Sequence, residues 1–240
     1  PPPISLMVGR AAIMSPQCPL WTNVLVLMRI LVKYPTKWRW PRFSRNLAKY
    51  IELCDNKAKT KFLVTVDEDD PWPDGLDDLR SQVSLSVTPP LGKVAAINHG
   101  IPESGWDALV VVSDDMTPVQ RRWDERIRED FYHSPLAWMI NYRTEPRLGS
   151  RWRDLITLPI MTRDCYKYFG YVYNPVYKSE FCDNEQTEVV SSLDRLVHID
   201  FSPIIHEWSR FQVDKLAEVN IEAGKLDRIT YENRKLKNFK

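Results

Sequence analysis

The sequence ALVVVSDDMTP, which runs from Ala108 to Pro118, is the stretch from which the fold can be inferred. Its five leading apolar residues predict a short buried strand that ends abruptly at Ser113, Asp114 and Asp115. Two adjacent carboxylates at the end of a buried strand are costly unless a cation neutralises them. Open α/β sheets bind their ligands at this end of their strands. The alternative is a solvated turn in which Asp114 or Asp115 caps a helix that starts near Pro118.

The composition of the 240-residue chain is that of an ordinary globular protein. Hydrophobic residues make up 43% and charged residues 27% of the sequence, so one well-cored domain or two small ones can form. The formal net charge of +1 gives no global basic field that would attract nucleic acid or a membrane surface. The cysteines Cys18, Cys54, Cys165 and Cys182 lie far apart without a CxxC motif, which argues against a zinc knuckle and fits a reducing, cytoplasmic compartment.

The amino-terminal part of the sequence lacks the pattern of a membrane span. The longest apolar run, Val24–Val32, is interrupted by Arg29 and is too short to cross a bilayer. The opening prolines are not followed by the basic region and cleavage site of a signal peptide. We therefore expect no membrane insertion, a poorly structured leader over residues 1–20, the main domain over 21–210, and a basic helical tail over 211–240.

Strand and helix patterns alternate along the first half of the chain, as in a mostly parallel sheet with helices on its faces. The predicted strands there are 24–32, 61–66, 83–87 and 108–112, with a loop over 33–37 and helices from Pro41 and over 92–100. The second half predicts helices over 119–131, 163–170 and 185–193, strands over 136–140 and 195–199, and an amphipathic terminal helix from Glu218. The expected fold class is α/β, with one Rossmann-like, mixed but mostly parallel sheet and a C-terminal helical tail.

A basic, irregular segment over 141–154 follows the predicted strand 136–140. It holds Arg143, Arg147, Arg151 and Arg153 around Trp152. The ordinary interpretation is a solvated loop. The functional interpretation is an anion-binding lip beside the acidic strand end, where arginines contact phosphates and the tryptophan stacks on a base.

Several short motifs resemble, in order and spacing, the nucleotide-sugar-dependent glycosyltransferases of the GT-A fold. The resemblance covers about Val24 to His206. The loop after the first strand and the acidic residue after the second strand resemble the family's nucleotide-contacting elements. This implies nucleotide contacts from Pro35, Thr36, Lys37 and Asp67.

Two further motifs resemble the parts of this family that meet the donor diphosphate. The stretch Gly92–Gly100 resembles the helix that approaches the diphosphate, which implies donor contacts from Lys93 and Asn98. The triplet Ser113–Asp115 stands at the family's DxD motif, so Ser113 and Asp114 are also expected on the donor. Its first position is serine instead of aspartate, which leaves weaker metal binding or a different nucleotide contact open.

The resemblance implies a divalent cation bound by Asp115 and His206. Asp115 occupies the last DxD position, and His206 follows a late predicted strand, as the metal-completing histidine does in many members of the family. Carboxylate and phosphate oxygens suit Mn²⁺ or Mg²⁺, and a histidine ligand favours Mn²⁺. A satisfied buried histidine is the alternative for His206.

The resemblance also implies a catalytic carboxylate at Asp183 or Glu185, near the start of the helix predicted over 185–193. A positioned carboxylate that takes the proton of an acceptor hydroxyl contributes about 10²- to 10⁴-fold to the rate. Asp183 is the first choice and Glu185 the second. The alternative is that Asp183 is only the N-cap of that helix.

The resemblance therefore implies a metal-dependent glycosyltransferase that moves a hexosyl or pentosyl group from a nucleoside-diphosphate sugar, with a UDP-sugar favoured, to an acceptor hydroxyl. Arg147, Arg151, Trp152 and Arg153 are expected on the acceptor side. One candidate acceptor is a hydroxymethylated base in bacteriophage DNA, as for small viral members of the family, which would place the enzyme in the host cytoplasm. Saccharide and protein acceptors remain open.

Two other functions compete with this prediction. A nucleotidyltransferase that makes nucleotide sugars is disfavoured, because such enzymes carry a glycine-rich loop after the first strand and residues 33–40 contain no glycine. An inactive nucleotide-sugar-binding module is allowed by Ser113.

Overall fold

The computed structural model describes residues 28–143, 154–207 and 214–240. The strands are β1 (Ile30–Pro35), β2 (Thr60–Asp67), β3 (Ser84–Thr88), β4 (Ala108–Val111), β5 (Met116–Pro118), β6 (Met139–Tyr142), β7 (Ile160–Thr162), β8 (Leu196–Ile199) and β9 (Ile204–His206). The helices are α1 (Trp40–Leu53), α2 (Asp77–Arg80), α3 (Lys93–Asn98), α4 (Trp123–His133), α5 (Arg163–Phe169), α6 (Cys182–Ser192) and α7 (Lys215–Lys235).

The main sheet has seven strands in the order β3-β2-β1-β4-β7-β6-β8. Strand β7 runs antiparallel to both of its neighbours, and the other pairs are parallel. The predicted mixed, mostly parallel sheet is thus confirmed. The chain builds outward from β1 to β3 and then returns to β4 on the other side of β1. Ligands of open α/β sheets bind at such a reversal, outside the carboxyl ends of the strands.

Helices cover both faces of the main sheet. Successive residues of β1 point to opposite faces, so Ile30 and Val32 pack with α1 and α4, whereas Leu31 packs with α3, α5 and α6. Helix α1 buries Phe43, Leu47 and Tyr50 completely, and their spacing places them on one side of the helix. These two apolar layers fix the carboxyl ends of β1 and β4 side by side.

Strand β1 extends further than the sequence predicts. Lys33, Tyr34 and Pro35 are not in a loop but continue the parallel ladder with β2. A lysine in a sequence usually indicates a solvent-exposed position, yet Lys33 is fully buried. Its Nζ donates hydrogen bonds to the Thr65 hydroxyl and the His99 carbonyl. Lys33 thereby ties β1 and β2 to the end of α3.

The helix predicted over 119–131 is confirmed as α4, but it begins later than predicted. Residues 116–118 form β5, which pairs antiparallel with β9, and α4 begins only at Trp123. The physical reason is the long-range pairing with β9, which a local helical pattern cannot reveal. Asp114 and Asp115 precede a strand, so the alternative in which one of them caps this helix is wrong.

Other predicted boundaries shift by a few residues. Helix α6 begins at Cys182, with Phe181 at its N-cap, so the alternative in which Asp183 is the N-cap is wrong and Asp183 lies in the first turn. His206 follows the strand predicted over 195–199, which is β8, and it ends an additional strand, β9, that the sequence does not predict. Strand β6 includes Asn141 and Tyr142, which the sequence places in the irregular basic segment.

Some predictions fall outside the described residues. These are the leader over 1–20, the start of the first predicted strand, and Arg147, Arg151, Trp152 and Arg153. The terminal helix is confirmed as α7. Over the part of the chain that the structure describes, none of the helices is both long and apolar enough to span a bilayer.

Candidate active site

The crevice between the carboxyl ends of β1 and β4 brings the first two site residues together. The Thr36 Oγ1 donates a hydrogen bond to the Asp114 Oδ2 at 3.3 Å, although 78 positions separate them in the sequence. The backbone N–H of Val112 donates to the Lys33 carbonyl at 3.0 Å, which keeps the two strand ends adjacent. Thr36 and Asp114 therefore meet where the strand order reverses.

Asp114 is only 3% exposed. Its Oδ1 makes no hydrogen bond to any of the described residues. Burial raises the pKa of Asp114 to about 8, a shift that the Thr36 hydrogen bond and the Arg39 charge only partly offset. A buried polar atom without a partner is costly, so this oxygen is suited to receive a hydroxyl group or a cation from a ligand.

Helix α1 holds the backbone of the acidic turn in place. The Asn46 Nδ2 donates hydrogen bonds to the carbonyls of Asp114 at 2.8 Å and Met116 at 3.3 Å. The Tyr50 hydroxyl also donates to the Met116 carbonyl, at 3.2 Å. Asn46 and Tyr50 lie one helical turn apart on the buried face of α1, so the packing of that helix sets where both carboxylates point.

The ribbon of β5 and β9 brings His206 to Asp115. Met116 lies opposite His206 in the ribbon, and the backbone N–H of Glu207 donates to the Asp115 carbonyl at 2.6 Å. The His206 Nε2 lies 3.4 Å from the Asp115 Oδ2, while the Ser113 hydroxyl donates to the Asp115 Oδ1. Burial alone would raise the pKa of Asp115, but His206 and Ser113 together hold it below its ordinary value. Asp115 is thus the ionised member of the acidic pair.

An ionised carboxylate beside an imidazole is a fitting pair of ligands for a divalent cation. Among residues 28–143, 154–207 and 214–240, no cluster of three His, Cys, Asp or Glu side chains could hold a metal by itself. A cation at Asp115 and His206 therefore needs further oxygen ligands, which phosphate groups of a substrate can provide. The imidazole favours Mn²⁺ over Mg²⁺. The donor set fits a metal that arrives with a phosphorylated ligand.

The end of β2 adds a second acidic group next to β1. Asp67 is 6% exposed, and its Oδ2 accepts a hydrogen bond from the Lys37 Nζ at 2.6 Å. The Thr88 Oγ1 donates to the Asp67 Oδ1 at 3.3 Å. Pro35, Thr36, Lys37 and Asp67 thus lie on two adjacent strand ends. A nucleotide bound here would have to share or displace the ion pair of Lys37 and Asp67.

Helix α3 presents only one of its two predicted site residues outward. Lys93, its first residue, is exposed. The Asn98 Nδ2 donates to the Tyr173 carbonyl at 2.7 Å, and its Oδ1 accepts from the backbone N–H groups of Val172 at 3.0 Å and Tyr173 at 3.1 Å. The Asn98 amide is therefore engaged in holding the loop at 172–173, whereas the Lys93 ammonium can meet a ligand.

Asp183 lies near both Lys93 and His206. Burial raises the pKa of Asp183 above its ordinary value, and the positive charges of Lys93 and His206 oppose this rise. Both cationic groups are thus within electrostatic range of the Asp183 carboxylate. A carboxyl group with a raised pKa beside a ligand-binding crevice is suited to accept a proton.

Glu185 has a different environment, although it lies on the same helix turn. Its carboxylate accepts hydrogen bonds from Arg234 at 2.7 and 3.0 Å, from the Tyr177 hydroxyl at 2.7 Å and from the Asn174 Nδ2 at 2.8 Å. Burial would raise the pKa of Glu185, but Arg234, Tyr177 and Asn174 lower it. Both oxygens are occupied, so the geometry favours Asp183 over Glu185 as a base.

Helix α7 supplies supporting residues that the sequence reasoning does not identify. Asp227 is 2% exposed and accepts hydrogen bonds from the backbone N–H groups of Lys178, Ser179 and Glu180 at 2.9, 2.7 and 2.9 Å. Asp227 thus binds the residues before Asp183, and Arg234 binds Glu185, which follows Asp183 in the chain. The sequence feature that could have identified these residues is their helical spacing, which places Gly224, Asp227, Tyr231 and Arg234 on one face of the helix.

No protein-family model matches this sequence, and no curated protein matches it. Solved structures do share its fold. TarS from S. aureus gives a TM-score of 0.58 at 16% identity, covering 76% of this chain and 37% of TarS. A TarS fragment, 1–349, has also been solved in complex with UDP-GlcNAc.

Two further enzymes give similar values. The mannosyltransferase PcManGT from Pyrobaculum calidifontis, in complex with GDP-Man and Mn²⁺, has a TM-score of 0.56 at 15% identity, covering 71% of this chain and 54% of that enzyme. Glucosyl-3-phosphoglycerate synthase from Mycobacterium tuberculosis, in complex with Mg²⁺ and UDP, has a TM-score of 0.57 at 12% identity, covering 87% of this chain and 80% of that enzyme. At these identities the likeness is one of fold, and this chain has the GT-A fold.

Proposed function

We propose that this chain of GT-A fold is a glycosyltransferase that moves a sugar from a nucleoside-diphosphate sugar to an acceptor hydroxyl with the help of a divalent cation. The observation that carries the proposal is the pairing of Asp115 with His206 beside the reversal of strand order. A UDP-sugar is our first candidate donor, since structures of similar fold have been solved with UDP and UDP-GlcNAc, and one has been solved with GDP-Man.

On the donor side, Asp115 and His206 would hold Mn²⁺ or Mg²⁺, and Ser113 would orient Asp115 through its hydrogen bond. When bound, the cation offsets the negative charge that develops on the leaving diphosphate. Lys93 is exposed near the crevice and would add positive charge there. The Asp114 Oδ1, which lacks a partner among the described residues, would accept a hydrogen bond from the donor. Pro35, Thr36, Lys37 and Asp67 would line the nucleotide, with Asn98 supporting the loop beside it.

On the acceptor side, Asp183 would act as the general base. The acceptor oxygen attacks the anomeric carbon, the bond from that carbon to the diphosphate breaks, and the hydroxyl proton passes to the Asp183 carboxylate. Its raised pKa supports this role, because a base is most effective when its pKa approaches the working pH. Glu185 would keep α6 in position and take no proton.

The acceptor itself is the least defined part of the proposal. A hydroxymethylated base in phage DNA would suit the basic segment that contains Arg147, Arg151, Trp152 and Arg153, whereas a saccharide or protein hydroxyl would need none of these charges. A DNA acceptor predicts salt-dependent binding to hydroxymethylated DNA that is lost when Arg147, Arg151 and Arg153 are replaced by glutamine. Absence of such binding in the wild type would point to a different acceptor, and unchanged binding in the variant would exclude these arginines as the DNA contacts.

A donor panel tests the activity. Purified protein is incubated with UDP- and GDP-sugars, with Mn²⁺ or with EDTA, and released nucleoside diphosphate is measured. We expect release with at least one donor in Mn²⁺, and loss of release in EDTA and in Asp115→Asn. Asp107→Asn is the matched control, because Asp107 lies at the amino end of β4, where it pairs with Arg29 at 2.9 Å. Release of pyrophosphate would indicate a nucleotidyltransferase, and tight donor binding without turnover would indicate an inactive binding module.

A further inference from the structure

Helix α7 packs on the rest of the chain through a polar face. Asp227 and Arg234 hold the segment before and within α6, and the Tyr231 hydroxyl donates a hydrogen bond to Glu188. Gly224 lies so close to the domain that an added Cβ would clash with the Glu180 side chain. These contacts fix which side of α7 faces the domain.

The opposite side of α7, continued by its C-cap residue Leu236, exposes a row of large apolar side chains. Val219 is 55% exposed, Leu226 70%, Ile229 59% and Leu236 85%. At about 100° per residue, this row lies about 150° around the helix from the polar face. A surface helix normally turns its apolar stripe inward, and an exposed one marks an interaction site. None of the described residues covers this row.

The apolar row has the spacing of a helix-pairing seam. It runs Val219, Glu222, Leu226, Ile229, Asn233 and Leu236, with alternating steps of three and four residues. This is the a/d pattern of a coiled coil. Four of the six positions are apolar, and the other two, Glu222 and Asn233, are polar. The residues that Glu222 and Asn233 contact on the partner helix differ between a parallel and an antiparallel pair, so these two residues distinguish the two arrangements.

The order of apolar and polar residues along this row is the same in both chain directions. Around a two-fold axis between Leu226 and Ile229, an antiparallel copy places Val219 against Leu236 of the partner subunit and Leu226 against Ile229 of the partner subunit. Glu222 then meets Asn233 of the partner subunit, which can donate a hydrogen bond to it. In a parallel pair Glu222 would meet Glu222 of the partner subunit, and like charges repel in a seam shielded from water.

The charges beside the seam favour the same arrangement. Lys225 and Glu232 each precede a seam residue on the same edge of α7, and their side chains are 67% and 61% exposed. In the antiparallel pair Lys225 faces Glu232 of the partner subunit, and symmetry repeats this attraction. Because the docked polar face lies on the far side of α7, the two domains would flank the helix pair without colliding.

We propose that two copies of this chain form a two-fold symmetric dimer through antiparallel pairing of their α7 helices. The interface is isologous, as in most homodimers. Its seam consists of Val219, Leu226, Ile229 and Leu236, with Glu222 and Asn233 as the polar layer that sets the register.

The first test is the mass of the full chain in solution, measured by analytical ultracentrifugation at roughly 1 to 100 µM, a range that suits an interface of modest affinity. We expect a particle of twice the 28.2 kDa chain mass, and a monomer for Leu226→Lys. Ile221→Lys is the matched control, because Ile221 is 50% exposed on the same helix but lies off the seam. It should remain dimeric. A wild-type monomer throughout this range, as would follow if another segment of the chain covers the row, overturns the proposal.

A charge swap tests the arrangement without touching the apolar seam. Lys225→Glu and Glu232→Lys should each weaken dimerisation by about 5-fold or more, since each places two like-charged pairs across the interface. The double variant restores opposite charges across the interface and should recover most of the wild-type dimerisation, although it loses the ion pairs of Lys225 with Glu222 and of Glu232 with Arg228. Failure of the double variant to recover, while both single variants weaken the dimer, overturns the proposed register.

Cysteine cross-linking tests the direction, in a background where Cys18 is replaced by serine. A mixture of Glu222→Cys and Asn233→Cys chains should form the mixed disulfide dimer on oxidation, because these positions face each other only in the antiparallel pair. Efficient disulfide formation between two Glu222→Cys chains would show a parallel pair and would contradict the proposal.

Discussion

The His206 Nε2 lies 3.4 Å from the Asp115 Oδ2, although His206 ends β9 and Asp115 belongs to the turn after β4. The contact depends on the ribbon in which Met116 pairs with His206. It places an imidazole ring beside an ionised carboxylate at the ligand-binding end of the main sheet. We therefore expect substitutions in this pair to impair the proposed site strongly.

Replacement of His206 by alanine should change the metal preference. Without the imidazole, the remaining oxygen ligands no longer favour Mn²⁺ over Mg²⁺. We expect the Mn²⁺ concentration for half-maximal activity to rise at least about 10-fold, with a smaller change for Mg²⁺. Activity titrations with each metal measure this, with His133→Ala, at the exposed end of α4, as the control. Equal effects on both metals would remove His206 from the ligand set.

Replacement of Asp183 by asparagine should lower kcat by about 10²- to 10⁴-fold while donor affinity stays within about 2-fold, because only proton uptake is lost. The wild-type rate should fall as the pH drops through the pKa of Asp183, which burial raises above its ordinary value, and this acidic limb should vanish in the variant. Asp194→Asn, an exposed position just after α6, is the control. A proportional loss of donor binding would argue that Asp183 is structural.

Replacement of Arg234 by methionine should destabilise the chain by about 3 kcal/mol, since it leaves the buried Glu185 carboxylate without its cation. Lys235→Met is a closely matched control. Lys235 pairs with Glu188 at 2.6 Å, but these side chains are 52% and 37% exposed, so its loss should cost less than about 1 kcal/mol. Urea unfolding of both variants measures the difference. Equal costs would mean that α7 does not depend on the Arg234 contact.

Replacement of Lys33 by methionine should change how stability depends on pH. Burial lowers the pKa of Lys33 from 10.5 to about 7. Between these values the unfolded chain binds more protons than the folded chain, so the free energy of unfolding rises with pH, by at most about 1.4 kcal/mol per pH unit. The wild type should therefore gain stability relative to Lys33→Met as the pH rises through this window. Lys61→Met, at an exposed position on β2, should leave the slope unchanged.

The sequence predicts those parts of the site that local patterns encode. The apolar run at 108–112 and the acidic turn after it identify β4 and its functional end without any knowledge of the rest. The ribbon of β5 and β9 has three-residue strands, too short for a periodic signal, so the contact between Asp115 and His206 could be expected only from the family resemblance.

Long-range burial explains the remaining differences. Lys33 has the side chain of a solvent-exposed residue, and only the packing of α3 against β1 and β2 encloses it. Glu185 and Asp183 look equivalent in sequence because they share one helix turn. Arg234 separates them, and it lies 49 positions away on α7. No local pattern contains that information.

The most direct measurement for the central claim is the affinity of Mn²⁺ in the presence of saturating UDP, determined by isothermal titration calorimetry for the wild type and for Asp115→Asn. The site is predicted to bind Mn²⁺ tightly only when UDP is present, because the described residues offer too few ligands alone. Asp115→Asn should weaken that binding by about 100-fold or more, since even outer partners of metal ligands cost 10- to 100-fold. Equal Mn²⁺ affinity in the two proteins, or no dependence on UDP, would contradict the account.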